Sequence, residues 1–297
     1  MQALWMLLAS FAFASMAVCV KIASAWFSAS ELVFWRGALG MLFMWLYARQ
    51  EGVSLRTVHG AAHAWRSLVG VLSLGAWFYA IAGLPLATAM TLNYLSSVWV
   101  AAFLVGATLV AWTPASGSPL RQGPAVLAVL AGFAGVVLML RPTIDQDQLF
   151  AGLVGLLSGL LSAFAYLQVM ALGKLGEPES RTVFYFAAGS ALAGAAGMAV
   201  TGVSPWDWTH AAWLLPVGLL ASLGQWCMTR AYSHGATLVV ASLQYSGIVF
   251  GAFYGVLLFD DAITPMGWLG MAVILASGVA ATVLRERTTP NAPAEEH

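Results

Sequence analysis

The chain has 297 residues, of which 61% are apolar and only 8% are charged. A soluble domain is about one quarter charged, so this composition leaves too few charges to cover a water-exposed surface and predicts an integral membrane protein. The 12 basic residues balance the 12 acidic ones, and the lack of a basic excess argues against binding nucleic acid. The two cysteines lie inside apolar runs, so neither a disulfide framework nor a metal cluster is expected.

Ten apolar segments follow one another along the chain, each close to the length of about 20 residues that a spanning helix needs. They are approximately residues 4–24, 32–48, 67–84, 89–111, 125–140, 150–172, 182–201, 211–232, 236–259 and 266–284. Strands of a membrane barrel alternate between lipid-facing and lumen-facing residues, whereas these segments are continuously apolar and rich in Gly and Ala. The sequence therefore predicts an all-α integral membrane protein with ten transmembrane helices.

The first segment has some features of a signal peptide, because Ala23-Ser-Ala25 looks like a cleavage site. Residues 1–20 contain no Lys or Arg, however, and the apolar stretch is too long, so we expect a retained helix.

Basic residues favour the cytoplasmic side, and their distribution predicts a multi-pass protein with both termini in the cytoplasm. Lys21, Arg36 and Arg141 then lie towards the outside, and the inside holds Arg49, Arg56, Arg66, Arg121, Lys174, Arg181, Arg230, Arg285 and Arg287. The polar tail, residues 288–297, is predicted to be disordered.

The third and eighth segments contain nearly the same five residues, Ser73-Leu-Gly-Ala-Trp77 and Ser222-Leu-Gly-Gln-Trp226. An offset of 151 residues pairs Tyr94 in the fourth segment with Tyr245 in the ninth, and further matches keep the same order along the chain. Together they predict two repeats of five helices each, residues 1–142 and 148–287. Because five is odd, the second repeat enters the membrane from the opposite side. Such inverted-topology repeats are typical of secondary transporters, whose two halves exchange conformations.

Three of these features resemble the drug/metabolite transporter superfamily. They are the ten helices in two inverted repeats, a tyrosine in the fourth helix of each repeat, and the stretch Phe-Asp-Asp-Ala-Ile-Thr-Pro at residues 259–265 followed by Gly270 and Gly278. Over residues 1–287 the chain is similar in particular to ten-helix bacterial exporters of amino acids and other metabolites. The resemblance implies alternating access in a bacterial inner membrane. Because the run Asn93-Tyr94-Leu95 resembles aromatic amino-acid exporters, aromatic and other neutral amino acids are the expected substrates.

No Asp, Glu or His lies in the middle of a predicted span. Buried charges in membranes are costly and usually functional, so we expect no proton relay and predict uniport or exchange down a substrate gradient. Sodium coupling through backbone carbonyls stays open. The same distribution disfavours an enzyme, since it offers neither an embedded carboxylate pair nor a base beside a nucleophile, and no cofactor or metal is predicted. Lys21 and Arg36 are expected near the outer side, where they pair with Glu31 or meet a substrate carboxylate at the exit.

The candidates for a binding site are aromatic or uncharged polar residues. Asn93 and Ser97 are four residues apart and share a helix face, and the corresponding helices of the two repeats supply the others. The full set is Ser15, Trp77, Phe78, Tyr79, Asn93, Tyr94, Ser97, Phe164, Tyr166, Gln168, Gln225, Trp226, Gln244 and Tyr245. Amides and hydroxyls suit the polar end of a small amphipathic substrate, and rings suit its apolar part. The alternative role for the amides is hydrogen bonding between helices.

Two other functions remain open at this stage. Aromatic faces also attract organic cations, so an exporter of organic cations, drugs or other small metabolites is the main alternative. A non-transporting membrane scaffold is the other, although scaffolding does not require two exchangeable halves. Apart from the substrate, the lipid bilayer is the expected partner. Gly155-x3-Gly159 and Gly251-x3-Gly255 permit close helix approach, which within one chain favours packing over dimerisation, so we expect a monomer or a weak dimer.

Overall fold

The computed structural model describes residues 2–84, 86–110, 123–140 and 148–259, together with 265–266, 268–270, 272–273, 275–277 and 280. These residues form helices and contain no strand. The helices are α1 (Gln2–Ala23), α2 (Ala29–Gln50), α3 (Gly60–Gly83), α4 (Leu86–Tyr94), α5 (Ser96–Val110), α6 (Gly123–Leu140), α7 (Leu149–Lys174), α8 (Glu179–Thr201), α9 (Trp208–Ala211), α10 (Leu214–His234), α11 (Thr237–Gln244) and α12 (Ser246–Phe259). The predictions for residues 260–264 and for the tail, residues 288–297, lie outside the described residues.

Six helical stretches are long and apolar enough to cross a membrane. They are Leu4–Ala23, Gly60–Gly83, Leu149–Lys174, Glu179–Thr201, Trp208–His234 and Val239–Leu258. α2 is also 22 residues long, but it carries Glu31, Arg36 and Arg49. The all-helical membrane class predicted from composition is therefore confirmed, while the count of ten spans stays a prediction.

Two of the predicted segments are interrupted in the structure. Segment 89–111 corresponds to α4 and α5, which are separated at Leu95, and segment 236–259 corresponds to α11 and α12, which are separated at Tyr245. The Tyr245 N–H bonds to Ser242 O, three residues back instead of four, so the helix is locally tightened there. Irregular backbone at membrane depth is tolerated where protein surrounds it, and Tyr245 is fully buried.

The most extensive helix contact joins α2 to α8, followed by α3 with α7 and α1 with α10. Glycines allow the backbones of α2 and α8 to touch. A Cβ atom added to Gly37 would lie 2.9 Å from Ala191 Cα, and one added to Gly194 would lie 2.5 Å from Phe34 Cα. Close backbone approach at small residues is how helices associate in lipid, where no hydrophobic force draws them together.

A polar cluster formed by Thr57, His63, Glu177 and Arg181 ties the loop after α2 to the start of α8. The Glu177 carboxylate accepts hydrogen bonds from Thr57 Oγ1 (2.6 Å), His63 Nε2 (3.1 Å) and Arg181 Nη1 (2.9 Å). The Arg181 guanidinium also donates to Ser54 O through Nε (2.9 Å) and Nη2 (2.7 Å). This Glu177 cluster therefore closes one end of the α2–α8 pair.

A second cluster, formed by Ser28, Glu31 and Ser204, closes the opposite end of the same pair. Glu31 and Ser28 form a capping box at the start of α2, and Glu31 accepts hydrogen bonds from Ser204 N (2.9 Å) and Ser204 Oγ (2.7 Å) in the loop after α8. The carboxylate is thus held by serines instead of the expected Arg36. Lys21 donates to the carbonyl oxygens of Ile81 (2.9 Å) and Leu84 (2.8 Å).

Replacing Glu177 by glutamine is expected to lower the free energy of unfolding by about 1–3 kcal/mol at pH 7. Burial raises the pKa of Glu177, but hydrogen bonds from Thr57, Arg181 and His63 outweigh it and hold that pKa below its ordinary value. A lowered folded-state pKa contributes stability that is present above the unfolded pKa, about 4.3. That contribution is lost as the pH falls through the folded pKa. The difference in melting temperature between E177Q and the wild-type protein in detergent should therefore shrink below about pH 4.

Glu179→Gln provides the matched control. Glu179 lies 3.9 Å from Arg230 and 3.6 Å from His234, and all three side chains are partly exposed, so its loss should change the unfolding free energy by no more than about 0.5 kcal/mol. Equal destabilisation by both variants, or a loss in E177Q that does not depend on pH, would contradict the role given to Glu177.

Candidate substrate site

Seven helices surround an internal cavity. Its volume is about 60 Å³, which accommodates a few water molecules. The lining side chains belong to α1–α4, α7, α8 and α10. They are Phe13, Met16, Arg36, Arg66, Gly70, Ser73, Leu74, Trp77, Asn93, Tyr94, Ser162, Ala165, Tyr166, Phe186, Gln225 and Met228.

One wall of the cavity is a buried hydrogen-bond network that joins α3, α4 and α7. Asn93 Nδ2 donates to Ser158 Oγ (3.1 Å) and Ser162 Oγ (3.2 Å). Ser73 Oγ donates to Ser158 O (2.9 Å) and lies 2.6 Å from Ser162 Oγ. Because the single Ser73 proton is used on Ser158 O, the Ser162 hydroxyl is the donor in the Ser73–Ser162 pair. The network fixes the orientation of the Asn93 amide beside the cavity.

Another wall carries two buried arginines, Arg36 of α2 and Arg66 of α3, which are 4% and 2% exposed. Their guanidinium carbons lie 5.0 Å and 4.2 Å from the centroid of the same Phe186 ring, a distance at which a cation is attracted to an aromatic face. Arg36 Nη2 also donates to Gln225 Oε1 over 3.4 Å. Within the described part of the chain, neither arginine has a carboxylate within 4.0 Å.

Several buried polar atoms around the cavity have no hydrogen-bond partner among the described residues. They are Arg36 Nε, Arg66 Nε and Nη1, Trp77 Nε1 and the Tyr94 hydroxyl. The arginine and tryptophan N–H groups can only donate, and the hydroxyl can donate. A buried donor without a partner costs about 1–3 kcal/mol, and the four arginine and tryptophan N–H groups belong to side chains that line one cavity.

A further polar cluster, the Gln244 cluster, lies behind Tyr166 at the wall of the cavity. It consists of Ser97, Tyr166, Tyr232 and Gln244. Gln244 Oε1 accepts from Tyr232 OH (3.0 Å) and Ser97 Oγ (3.4 Å), and Gln244 Nε2 donates to Tyr166 OH (3.0 Å). The rings of Tyr166 and Tyr232 stack with centroids 5.1 Å apart. Since Tyr166 lines the cavity, this Gln244 cluster holds one of its walls in place.

The structure brings five of the fourteen sequence-predicted residues together in the cavity lining. They are Trp77, Asn93, Tyr94, Tyr166 and Gln225. Four others are buried without lining it: Phe78, Ser97, Gln244 and Tyr245. Ser97 and Gln244 belong to the cluster behind Tyr166, so their amide and hydroxyl groups are engaged between helices.

The remaining five predicted residues lie away from the cavity: Ser15, Tyr79, Phe164, Gln168 and Trp226. Tyr79 and Phe164 are 46% and 42% exposed. Each lies two residues from a side chain that lines the cavity, Trp77 and Tyr166 respectively. Two residues correspond to about 200° around a helix, so both rings point to the outside of the bundle. The two residues therefore lie on a different helix face from the lining residues next to them in sequence.

Arg66, predicted in a cytoplasmic loop, lines the cavity, and Arg36 lies there instead of at the outer exit. The cavity lining therefore contains two cationic side chains beside the uncharged candidates that the sequence suggests. α3 begins at Gly60, seven residues before the predicted segment, and Arg66 lies in its second turn. The length of the predicted segment could have revealed this. Segment 67–84 is shorter than most membrane spans, and extending it towards the N-terminus includes Arg66. An ionisable residue inside a span is a functional candidate by default.

The described residues offer no evident metal site, since no three His, Cys, Asp or Glu side chains among them are placed to hold one ion.

A scan against models of known protein families finds no match. The pseudopaline exporter CntI of Pseudomonas aeruginosa, however, is 33% identical over 277 residues, which cover 91% of this chain and 92% of the relative. The chain belongs to the same family of membrane transporters.

Other relatives of the transporter carry related descriptions. An uncharacterized transporter of Helicobacter pylori is 29% identical and covers 92% of this chain and 91% of its own length. A riboflavin transporter of Rhizobium johnstonii is 28% identical, with 93% of this chain and 89% of the relative covered. A solved crystal structure superposes with a TM-score of 0.77 at 19% identity, covering 96% of the transporter and 98% of that chain. The last comparison concerns the fold alone. The transporter relatives and the apolar helices indicate a multi-pass membrane protein with a small-molecule substrate.

Proposed function

We propose that the transporter exports small amphipathic metabolites of the amino-acid class by alternating access, as its resemblance to the drug/metabolite transporter superfamily implies. The cavity carries this proposal. Its walls come from α1–α4 in the first predicted repeat and from α7, α8 and α10 in the second. Movement of one repeat against the other therefore changes the whole lining and can open it to either side of the membrane. Aromatic and other neutral amino acids are the substrates that the sequence pattern favours.

The helix contacts support two inverted repeats, residues 1–142 and 148–287. In two such repeats, α7, α8 and α10 correspond to α1, α2 and α3. Exchanging the repeats then turns the α1–α10 contact into the α7–α3 contact, so these two are equivalent. The α2–α8 contact joins two corresponding helices. These three contacts are the most extensive in the structure. In addition, α4 contacts α12, and α5 contacts α11. The two interrupted helices are thus antiparallel where they meet, as an inverted repeat requires.

The relatives support a metabolite as the substrate and export as the direction. One relative is a pseudopaline exporter and another is a riboflavin transporter. The alternative of an organic-cation exporter is disfavoured by Arg36 and Arg66, because two cationic side chains in the lining repel a cationic substrate. A scaffold is disfavoured by the transport functions of the family.

The proposed mode is uniport or exchange without proton coupling. None of the described acidic residues lines the cavity. The two that are most buried, Glu31 and Glu177, lie at helix starts, where Ser204 and Arg181 hold them. A proton carrier needs a group that changes charge along the path, and the described lining contains arginines that stay protonated.

The charge distribution suggests where the transporter lies in the membrane. We propose a bacterial inner membrane with both termini in the cytoplasm, because Arg49, Arg56 and Arg181 cluster near the end closed by Glu177. A monomer or a weak dimer remains the expected state. The glycines that permit close approach, such as Gly37 and Gly194, are used within the chain.

Flux measurements in proteoliposomes test this function. The purified transporter is reconstituted and loaded with labelled phenylalanine, leucine, glutamine or glutamate, with and without an imposed pH gradient. Efflux above that of protein-free vesicles for at least one amino acid supports the proposal. Strict dependence on the pH gradient excludes uniport, and no flux of any amino acid excludes the substrate class.

Tyr94→Phe is expected to lower flux about tenfold, which corresponds to about 1.4 kcal/mol, while thermal stability stays equal or rises. The Tyr94 side chain lines the cavity, and its hydroxyl lies against the Gly247 position of α12 without a hydrogen-bond partner among the described residues. Removing the hydroxyl therefore takes no hydrogen bond from the fold, but it takes a buried donor from beside the cavity. Tyr79→Phe is the matched control, since Tyr79 lies outside the bundle. Unchanged flux in Y94F, or equal losses in both variants, would exclude Tyr94 as a substrate contact.

A further inference from the structure

We infer that Arg36 and Arg66 form an anion site that binds two carboxylate groups, so that the preferred cargo is a small dicarboxylate. This inference rests on the proposed transport function but gives it a different substrate class. It replaces the neutral zwitterion expected from sequence with a substrate of net negative charge.

The first argument is charge balance. The two guanidinium groups place two positive charges in a nearly fully buried site, and the described residues supply no carboxylate within 4.0 Å of either. Burying unpaired charge in a membrane protein is costly, and such residues mark substrate paths. A zwitterion carries no net charge and leaves the imbalance in place, whereas a dianion removes it.

The second argument is the chemistry of the unpaired atoms. The arginine and Trp77 atoms without partners are donors, and the amide oxygen of Gln225 already accepts from Arg36. The substrate must therefore bring acceptors in excess. Carboxylate oxygens only accept when ionised, and they pair with the planar guanidinium fork through two parallel hydrogen bonds.

The third argument is that the arginines are held in position before any substrate arrives. Phe186 attracts both guanidinium groups to its ring, and Gln225 binds Arg36. On α3, a Cβ atom at Gly70 would collide with Arg66 Nη1 and with the Phe186 ring, so the absence of a side chain there gives the guanidinium its place. Preorganised donors bind an anion at a lower ordering cost.

The shape of the lining favours an organic dianion over inorganic phosphate. The arginines come from two different helices, so two separate acidic groups suit them better than one compact ion. The rest of the lining includes Phe13, Met16 and Met228, which suit the carbon skeleton of a metabolite. Phosphate shares the charge and the acceptors and must be distinguished by experiment.

Binding to the purified full-length transporter is the test, with succinate, its neutral diamide succinamide, phenylalanine and inorganic phosphate as probes. Succinate should raise the melting temperature in a concentration-dependent way, and succinamide, of the same length, should not. Arg36→Gln and Arg66→Gln should each weaken succinate binding at least tenfold by calorimetry. Arg49→Gln is the matched control, because Arg49 stacks on Trp45 (4.9 Å) at the exposed end of α2, away from the cavity. The R49Q variant should bind succinate as the wild-type protein does.

A measurement without ligand separates a binding role from a structural one. If the arginines are kept for a substrate, neutral glutamine at Arg66 removes an uncompensated buried charge, and the ligand-free melting temperature should rise by about 2 °C or more. A structural arginine predicts a lower melting temperature in R66Q. Lower stability together with unchanged succinate binding would overturn the inference.

The remaining outcomes distinguish this inference from the transport function on which it rests. Phenylalanine flux that both arginine variants preserve would overturn the dicarboxylate site and leave transport intact. Succinate binding that the variants abolish, without flux of any probe through reconstituted vesicles, would support the site and exclude transport of these probes. Binding of phosphate alone, or of none of the four probes, would overturn the assignment to carboxylates.

Discussion

Gly194→Leu is expected to prevent the stable assembly of the α2–α8 pair and to destabilise the folded transporter by about 3 kcal/mol or more. A Cβ atom at this position would lie 2.5 Å from Phe34 Cα and 2.7 Å from Phe34 Cβ. Because Phe34 Cα belongs to the backbone, it cannot rotate away as the end of a flexible side chain can. The two helices must separate, and their contact is the most extensive in the fold. Thermal unfolding and size-exclusion chromatography of the purified variant in detergent measure the effect.

Gly75→Ala is the control for the removal of a helical glycine. Nothing lies within 4 Å of a Cβ atom built on Gly75, so this change should be neutral or stabilise the protein by up to about 1 kcal/mol through a less flexible unfolded chain. On the facing helix, Gly37→Leu should act as Gly194→Leu does, since its Cβ would lie 2.9 Å from Ala191 Cα. A wild-type melting temperature in either leucine variant would show that α2 and α8 do not approach so closely.

Gln244→Leu is expected to destabilise the transporter by about 2–4 kcal/mol, because it leaves several buried hydroxyl groups without a partner. Gln244 accepts from Tyr232 and Ser97 and donates to Tyr166. These contacts join α5, α7, α10 and α11, so their loss should also loosen the Tyr166 wall of the cavity. The measurement is the shift in melting temperature together with flux in vesicles.

Gln168→Leu is a control of the same chemistry. The Gln168 amide oxygen is buried without a partner in the described part of the chain, and replacing an unpaired polar group with an apolar one is neutral or stabilising. Loss of flux in Q244L at unchanged stability would instead make Gln244 a substrate contact. Destabilisation of Q168L to the same extent as Q244L would contradict the distinction between the two amides.

The membrane-spanning helices were accessible from the sequence because their cause is local. In lipid each backbone N–H and C=O must be satisfied within its own segment, so a long apolar run implies a helix wherever it occurs. The position of Tyr94 and Tyr245 in corresponding helices was also visible, and both are buried near the breaks at Leu95 and Tyr245. The start of α3 could not be predicted in the same way, because an apolar segment that excludes charged residues starts only after Arg66, whereas the helix begins at Gly60.

The lining of the site, by contrast, depends on which face each helix turns to its neighbours. Trp77 and Tyr79 are two residues apart and equally aromatic, yet one lines the cavity and the other faces outward. Neither composition nor spacing separates them, since the choice is made by the packing of α3 against α7 and α8. Counting matching residues between repeats therefore proposes more site residues than the cavity contains.

From its own composition and repeated pattern, the sequence determined that this protein is a helical membrane protein with the character of a transporter, because hydrophobic length and backbone satisfaction act within each segment. Only the tertiary structure decided that two arginines line the internal cavity. Arg36 and Arg66 are 30 residues apart and belong to different helices. They line one cavity, where both contact the Phe186 ring of α8 and the described chain brings no carboxylate to either. The energetic cost of a charge inside the membrane depends on the groups that surround it, and those groups come from distant parts of the chain.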